Sequence, residues 1–471
     1  MPLSTSTPRR ARHTPVIVAG VSAAVSTAEE PLLLGLDVGS SRIKGLLVDR
    51  AGEARGLASG KTPFSSTADG VEMTVEAFRE ALAGVLAGLG LDRRRVAGVG
   101  VAGMAESGAP FDARLRPMGP VIAWYDPRGG GTVERLQERF GDDLAVRIGQ
   151  RLRTVSSVAK LGWVAAHAAG PPRRWLGVPE LCLFELSGMQ VSEHSLAART
   201  GCYDVATRAY LPEVVEVLGL AVDVFPPVRA AGEAMGWVSA AGAGWSGLPQ
   251  GIPVTIAGHD HLAGAEGVAA REDDLVNSVG TAETVLRRHR TVPDLERSRS
   301  LGLAVTVRPG GSEWVVLAGA ARAGLILDAV ARTLGRAPDQ LDDLAEPAGE
   351  AGAALDLAAL RGSIDEGNRL ELPPGSPGEI WNGLLHALAA RTAEAADRLG
   401  ELLGSSRRMI VFGGGSVSIP WLRAKARSLR LPVLRLAASE AAARGAAITA
   451  GVAAGWWPGT PSAPLAPLEP W

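Results

Sequence analysis

Lysine is scarce in this chain of 471 residues, and cysteine is scarcer still. Arginine supplies almost all of the 48 basic residues, which balance 50 acidic ones and leave a formal net charge of -2. Without a basic excess or a lysine cluster, neither nucleic acid nor an anionic membrane is an expected partner. The two cysteines, Cys182 and Cys202, are too few for a disulfide framework and lack metal-ligand spacing, which favours the cytoplasm.

Long apolar runs are also missing. Residues 16–25 follow three arginines and imitate a signal peptide, but the run is too short to span a membrane. Because the first predicted strand begins at Leu32, we expect residues 1–30 to be a disordered extension or the product of a start codon placed too early. The Pro-rich segment 458–471 is expected to be a poorly ordered tail.

Two short segments, residues 35–44 and 277–284, share one pattern. In each, an apolar run enters a turn of glycine and hydroxyl residues, and a second apolar run leaves it; the turn residues are Gly39, Ser40, Ser41, Gly280 and Thr281. Such a hairpin can point backbone N–H groups at an anion, and Lys44 is the only lysine beside either turn. Two of them suggest a duplicated domain that closes on a nucleotide from both sides.

The remaining pattern predicts a mixed α/β sheet. Three apolar runs between Leu32 and Gly60 form an antiparallel meander, and a helix capped by Thr74 then crosses over to a buried strand at residues 96–104. Residues 105–250 are irregular and rich in turns, which is typical of elaborations that build a substrate cleft.

Asp37 lies just before the first phosphate-type turn. A carboxylate there would repel a bare phosphate, so its position makes sense chiefly if Mg²⁺ lies between them. A plain hairpin whose Asp caps the turn is an equal alternative for the motif taken alone.

Asp260 is the candidate catalytic base. It follows a predicted buried strand and is flanked by His259 and His261. Phosphoryl transfer to an alcohol needs a carboxylate that accepts the hydroxyl proton. A polar structural turn is the alternative, and a metal site is a weaker one because the two histidines supply only two ligands.

Two further groups are candidates for binding. The glycine-rich run after a predicted strand permits close approach to adenine or ribose, or is only a tight turn; it comprises Gly413, Gly414, Gly415 and Ser416. Carboxylates and an aromatic face that follow strands in the first half suit sugar recognition, or are solvated loops; they are Glu106, Trp124, Asp126 and Arg128.

Taken in order over residues 32–457, these motifs resemble the FGGY carbohydrate kinases of the actin-like ATPase superfamily, and most of all the L-fuculokinase-like branch. The resemblance implies an α/β fold of two duplicated ribonuclease-H-like domains with ATP and sugar in the cleft between them. It implies an N-terminal domain over residues 31–269 and an ATP-binding C-terminal domain over residues 270–457.

The resemblance also implies roles. Asp260 is the catalytic base and a metal ligand together with Asp37. The sugar contacts are Glu106, Trp124, Asp126, Arg128 and His261. The nucleotide contacts are Gly39, Ser40, Ser41, Lys44, Ser278, Gly280, Thr281, Gly413, Gly414, Gly415 and Ser416.

The sequence therefore predicts an ATP- and Mg²⁺-dependent kinase for a sugar, in particular a ketose such as L-fuculose or a pentulose. The expected partners are ATP and the sugar, without nucleic acid or membrane, and a homodimer is allowed for. Two alternatives stay open: a non-catalytic sugar- or nucleotide-responsive protein with the same fold, and an ATPase of the chaperone or actin type. Ala282, which stands where relatives often place a hydroxyl, keeps the first of these open.

Overall fold

A computed structural model describes residues 30–345, 352–436, 440–464 and 467–471. The predicted extension 1–30 therefore lies, apart from Glu30, outside the described residues. No helix in the described part is long and apolar enough to cross a membrane.

The N-terminal half contains fifteen strands and eight α-helices among the described residues. The strands are β1 (Leu32–Val38), β2 (Arg42–Val48), β3 (Ala54–Lys61), β4 (Ser65–Ser66), β5 (Val71–Met73), β6 (Val96–Gly103), β7 (Gly108–Phe111), β8 (Val121–Ile122), β9 (Arg174–Gly177), β10 (Ser192–Glu193), β11 (Tyr203–Asp204), β12 (Ala209–Tyr210), β13 (Val228–Arg229), β14 (Gly236–Trp237) and β15 (Pro253–His259). The helices are α1 (Val75–Gly88), α2 (Gly130–Arg147), α3 (Ser157–His167), α4 (Val178–Ser187), α5 (His194–Ala197), α6 (Pro212–Glu216), α7 (Ala240–Ser246) and α8 (Asp260–Gly267).

The C-terminal half contains seven strands and seven α-helices among the described residues. The strands are β16 (Asp274–Val279), β17 (Glu283–His289), β18 (Ala304–Val307), β19 (Trp314–Ala321), β20 (Arg408–Phe412), β21 (Val433–Leu436) and β22 (Leu468–Pro470). The helices are α9 (Leu295–Ser300), α10 (Ala323–Leu334), α11 (Pro338–Ala345), α12 (Leu357–Asp365), α13 (Pro377–Leu403), α14 (Ile419–Leu429) and α15 (Ala441–Ala453).

The main sheets of the two halves repeat one another. The first contains the order β3-β2-β1-β6-β15, in which the meander strands are antiparallel and β1, β6 and β15 are parallel. The second contains the order β19-β17-β16-β20-β21 with the same directions. The predicted duplicated α/β fold is therefore confirmed.

Each sheet also has an antiparallel edge strand, β14 in the first and β22 in the second. The strand β22 corrects one expectation, because it belongs to the Pro-rich segment 458–471. Leu468–Pro470 pairs with Leu434–Leu436, so this part of the tail is ordered by a strand distant in the sequence. The division at residues 269 and 270 stays a prediction.

Local capping explains where the predicted helices begin. The Thr74 side chain accepts a hydrogen bond from the N–H of Ala77 at the start of α1. At the start of α13, Ser376 and Glu379 form a complete capping box. The start of α1 therefore agrees with the prediction from sequence.

Helices α8 and α15 pack against each other, and α15 also lies against β1 and β6 of the N-terminal sheet. A Cβ on Gly445 would lie 1.8 Å from the carbonyl oxygen of Ala263, and one on Gly35 would lie 1.8 Å from that of Ala443. Only glycine permits such an approach. The two halves thus meet through backbone contact beneath the cleft.

Candidate active site

A cavity of about 1060 Å³ lies between the two halves. Most of the predicted site residues line it: Asp37, Gly39, Ser40, Ser41, Lys44, Glu106, Trp124, Asp260, His261, Ser278, Gly280, Thr281, Gly413, Gly414 and Ser416. Asp126, Arg128 and Gly415 are not among the lining residues. The structure thus brings residues from both ends of the chain to one cleft.

The first phosphate-type turn joins β1 to β2. The N–H of Gly39 donates to the carbonyl of Arg42 at 3.0 Å, and the Thr62 hydroxyl donates to the carbonyl of Gly39 at 2.6 Å. Lys44 does not stand free in the cleft, because its Nζ lies 2.6 Å from Oε2 of Glu440. Glu440 is the residue just before α15, so this ion pair joins the two halves.

The second phosphate-type turn joins β16 to β17. The N–H of Gly280 donates to the carbonyl of Ala282 at 3.1 Å, which closes the turn as in the first hairpin. Oγ of Ser278 lies 2.8 Å from Nδ1 of His261. Because His261 belongs to α8, this hydrogen bond ties the second hairpin to the helix that begins at Asp260.

The glycine run follows β20 and opens into a short 3-10 helix, Gly414–Val417. Gly413 has a φ of 98°, and a Cβ there would lie 2.4 Å from the carbonyl oxygen of Val279. Gly415 packs inward, where a Cβ would lie 2.5 Å from the Trp421 ring. Close approach of backbone therefore explains Gly413, and close packing of side chains explains Gly415.

Asp260 lies where β15 ends and α8 begins. The register of β15 against β6 is irregular between Ile256 and Gly258, and such a bulge re-aims the residues that follow it. Oδ1 of Asp260 accepts the N–H of His261 at 2.7 Å and lies 3.2 Å from Nε2 of His259.

Neighbouring groups offset the effect of burial on the pKa of this carboxyl group. Burial by itself raises the pKa of Asp260, but the nearby His261 and His259 rings and the N–H of His261 hold it below its ordinary value. Burial lowers the pKa of His259 to about 3, so that ring is neutral at pH 7. The lowered pKa of Asp260 leaves its carboxyl group ionised at pH 7 and able to accept a proton.

The pKa of Asp37 is shifted in the opposite direction to that of Asp260. Burial, followed by the charge of Asp260, raises the pKa of Asp37 to about 7. Its Oδ1 is buried and has no hydrogen-bond partner among the described residues. An orphaned oxygen beside a second carboxylate fits a divalent cation, which would satisfy the oxygen and reduce the repulsion between the two groups. His259, Asp260 and His261 also offer ligand atoms within 4.8 Å of one another.

Glu106 and two arginines line another part of the cleft. Glu106 has a φ of 69°, and its Oε1 lies 2.5 Å from Nη2 of Arg199. Arg153 also lines the cavity and has no ion-pair partner in the described chain. Burial and the charge of Arg199 lower the pKa of Arg153. Sequence reasoning missed both arginines, which stand in the irregular region without a local motif.

Asp126 and Arg128 form a buried ion pair away from the cavity wall. Asp126 accepts the N–H of Val71 at 2.6 Å and lies 2.8 Å from Nε of Arg128, which also binds Glu72 at 2.8 Å. Arg128 lies over the Trp163 ring at 4.9 Å. This arrangement braces β5 against the start of α2, and contact of either residue with sugar stays a prediction.

The two related halves each carry a phosphate-type hairpin and share a cleft with two carboxylates, an arrangement that suits a phosphotransferase. A model of the FGGY family of carbohydrate kinases, N-terminal domain, matches residues 32–267, and one of the C-terminal domain matches residues 275–454. The chain belongs to this family. It is a sugar kinase, for which the family implies ATP as the phosphate donor.

Named relatives agree with this assignment. The chain is 26% identical to L-fuculokinase of Salmonella typhi, with 89% of this chain and 92% of the relative covered. It is 28% identical to xylulose kinase of Streptomyces coelicolor, with 90% and 89% covered. Among solved structures, xylulose kinase from Rhodospirillum rubrum is similar with a TM-score of 0.79 at 25% identity, covering 93% of this chain and 94% of that one.

Proposed function

We propose that this kinase transfers the γ-phosphate of ATP to a hydroxyl group of a ketose, such as L-fuculose or a pentulose. The observation that most supports the proposal is the position of Asp260 at the end of β15, inside the cleft that both phosphate-type hairpins line. Relatives named L-fuculokinase and xylulose kinase support a ketose as the acceptor. No observation favours the non-catalytic alternative.

Asp260 acts as the general base in this proposal. Its carboxylate accepts the proton of the sugar hydroxyl while that oxygen forms a bond to the γ-phosphorus. The bond from the γ-phosphorus to the β,γ-bridging oxygen breaks, and ADP leaves. Positioned proton transfer of this kind contributes about 10²–10⁴-fold to the rate.

Asp37 and Asp260 would hold Mg²⁺, which supplies charge neutralisation for the transferred phosphoryl group. The orphaned Oδ1 of Asp37 supports this role. His261 bonds to Ser278, so the start of α8 and the second hairpin are held in one arrangement. This bond would keep the base aligned with the phosphates.

The nucleotide contacts in this proposal come from both halves. The N–H groups and hydroxyls of the two turns would bind phosphates, and the run Gly413–Ser416 would lie against the adenosine. Glu106, Trp124 and His261 would contact the sugar. Residues 31–269 would then carry the sugar and one phosphate hairpin, and residues 270–457 the ATP. Closure of the cleft would exclude water and limit ATP hydrolysis.

A coupled ADP-release assay tests the proposal. The panel contains ketopentoses, 6-deoxyketohexoses, aldoses and polyols, each with ATP and Mg²⁺ and each repeated without acceptor. We expect ADP release to depend on a ketose and a phosphorylated ketose to accumulate in equal amount. Release that no acceptor stimulates would contradict sugar phosphorylation, and a preference for a polyol or aldose would overturn the ketose assignment.

A further inference from the structure

A further buried carboxyl group lies behind the end of β15, just before Asp260, and the mechanism above does not use it. Glu193 is the last residue of β10 and is fully buried. Its Oε2 accepts both the N–H and the O–H of Ser195, and its Oε1 accepts the N–H of Gly310 at 3.2 Å. One carboxyl group thus binds donors from both halves of the chain.

Ser195 in turn contacts β15. Its Oγ accepts the N–H of His259, the residue before Asp260, at 3.0 Å. Gly258 has a φ of 107°, and a Cβ there would lie 2.5 Å from Oγ of Ser195 and 2.9 Å from Oε2 of Glu193. The end of β15 therefore rests directly on Glu193 and Ser195.

Gly310 belongs to the turn 308–313 between β18 and β19 in the C-terminal half. The same turn contacts α8. Nε and Nη2 of Arg308 donate to Oε1 and Oε2 of Glu266, each at 2.6 Å. A Cβ on Gly311 would lie 2.6 Å from the His194 ring. The turn 308–313 is thus packed against the first residue of α5 and against α8.

Helix capping does not account for this arrangement. Glu193 is the N-cap of α5, and the N–H of Ser195 alone satisfies that role. The bonds to the Ser195 hydroxyl and to Gly310 are additional. Burial raises the pKa of Glu193 to about 8, so a carboxyl group at this place costs stability. Residues that cost stability often serve function.

We propose that Glu193 and Ser195 are positioning residues for Asp260. They fix the end of β15 and join it to the turn 308–313, so that the placement of the base depends on the packing of the two halves. The proposal rests on the proposed role of Asp260 as the base.

Three variants test the contact to β15. Ser195→Ala removes the acceptor of the His259 N–H, and Ser195→Thr retains a hydroxyl. Ser192→Ala is the matched control, because Ser192 is a buried neighbour whose hydroxyl donates to Glu180 at 2.6 Å and does not reach β15. We expect Ser195→Ala to lower kcat about 10–100-fold with both KM values within about twofold, since a misplaced base slows chemistry rather than binding.

The Thr variant should recover most of the lost kcat, and Ser192→Ala should keep kcat within about twofold of the wild type. Equal kcat losses in Ser195→Ala and Ser192→Ala would overturn the proposal. A loss expressed only in KM would do the same.

Hydrogen exchange tests the contact without relying on activity. We expect Ser195→Ala to accelerate exchange of the His259 amide, and Glu193→Gln to accelerate that of Gly310 or Ser195, because the amide NH₂ replaces one acceptor. Unchanged exchange at these amides would contradict the contact. If the wild type shows no sugar-dependent turnover, the proposed function fails. The exchange result still decides whether Ser195 and Glu193 form hydrogen bonds to His259 and Gly310.

Discussion

Lys425 holds both ends of the second phosphate-type turn, which makes its removal an informative perturbation. Its Nζ is fully buried and forms an ion pair with Glu283, and it donates to Asn277 at 2.8 Å and to Thr392 at 3.0 Å. Asn277 precedes the turn and Glu283 follows it. A single ammonium group on α14 therefore connects the two hairpin strands.

The variant Lys425→Met removes this charge and leaves the Glu283 carboxylate buried without a counter-ion. Oε2 of Glu283 already has no hydrogen-bond partner among the described residues, and Oε1 would keep only the hydroxyl of Thr392, which is neutral. Breaking a buried ion pair costs about 3–5 kcal/mol of unfolding free energy. In a domain of this size, that loss lowers Tm by roughly 6–20 °C.

Calorimetry and urea unfolding measure the effect, and Lys160→Met is the control. Lys160 is equally buried, but among the described residues it donates only to the carbonyls of Thr154 at 2.7 Å and Val155 at 2.9 Å. Its loss should cost about 1–3 kcal/mol.

The double variant Lys425→Met/Glu283→Leu should be more stable than Lys425→Met alone, because it removes the unpaired charge. A buried ion pair at Lys425 is contradicted if Lys425→Met costs no more unfolding free energy than Lys160→Met, or if the double variant is no more stable than Lys425→Met.

Three further outcomes follow from the structure. Gly445→Val should destabilise the protein by at least about 1–3 kcal/mol in urea unfolding, because its side chain would overlap the backbone of Ala263. Burial raises the pKa of Asp274, but the hydrogen bonds from Arg408 outweigh it and hold the pKa below the ordinary 3.8. The ion pair therefore contributes stability above that value and loses it as pH falls further, so Asp274→Asn should flatten the acid limb of a Tm-against-pH curve. Arg153→Gln should raise the KM for sugar about tenfold and leave that for ATP unchanged in steady-state kinetics, since the arginine lines the cleft without an ion-pair partner in the described chain.

The parts of the fold that depend on local chemistry were predictable from the sequence. Both hairpins follow from turn residues flanked by apolar runs, and the helix starts follow from Thr74 and Ser376. The duplication was predictable because one pattern occurs twice. Asp260 could be singled out because a polar residue follows a buried strand.

The remaining features depend on residues distant in the sequence. Asp126 and Arg128 have the composition of a sugar motif, yet Glu72 and Trp163 complete a buried cluster around them. Nothing near Arg199 indicates that it pairs with Glu106. The strand β22 needed β21 as its partner, and its Pro-rich composition alone predicted a poorly ordered tail.

The turnover of Asp260→Asn shows whether Asp260 is the general base. The measurement is kcat with the best acceptor of the panel, alongside calorimetric affinities for that sugar and for ATP. We expect kcat to fall about 10²–10⁴-fold with both ligands still bound, because the amide cannot accept the hydroxyl proton. A kcat within about twofold of the wild type would exclude Asp260 as the base.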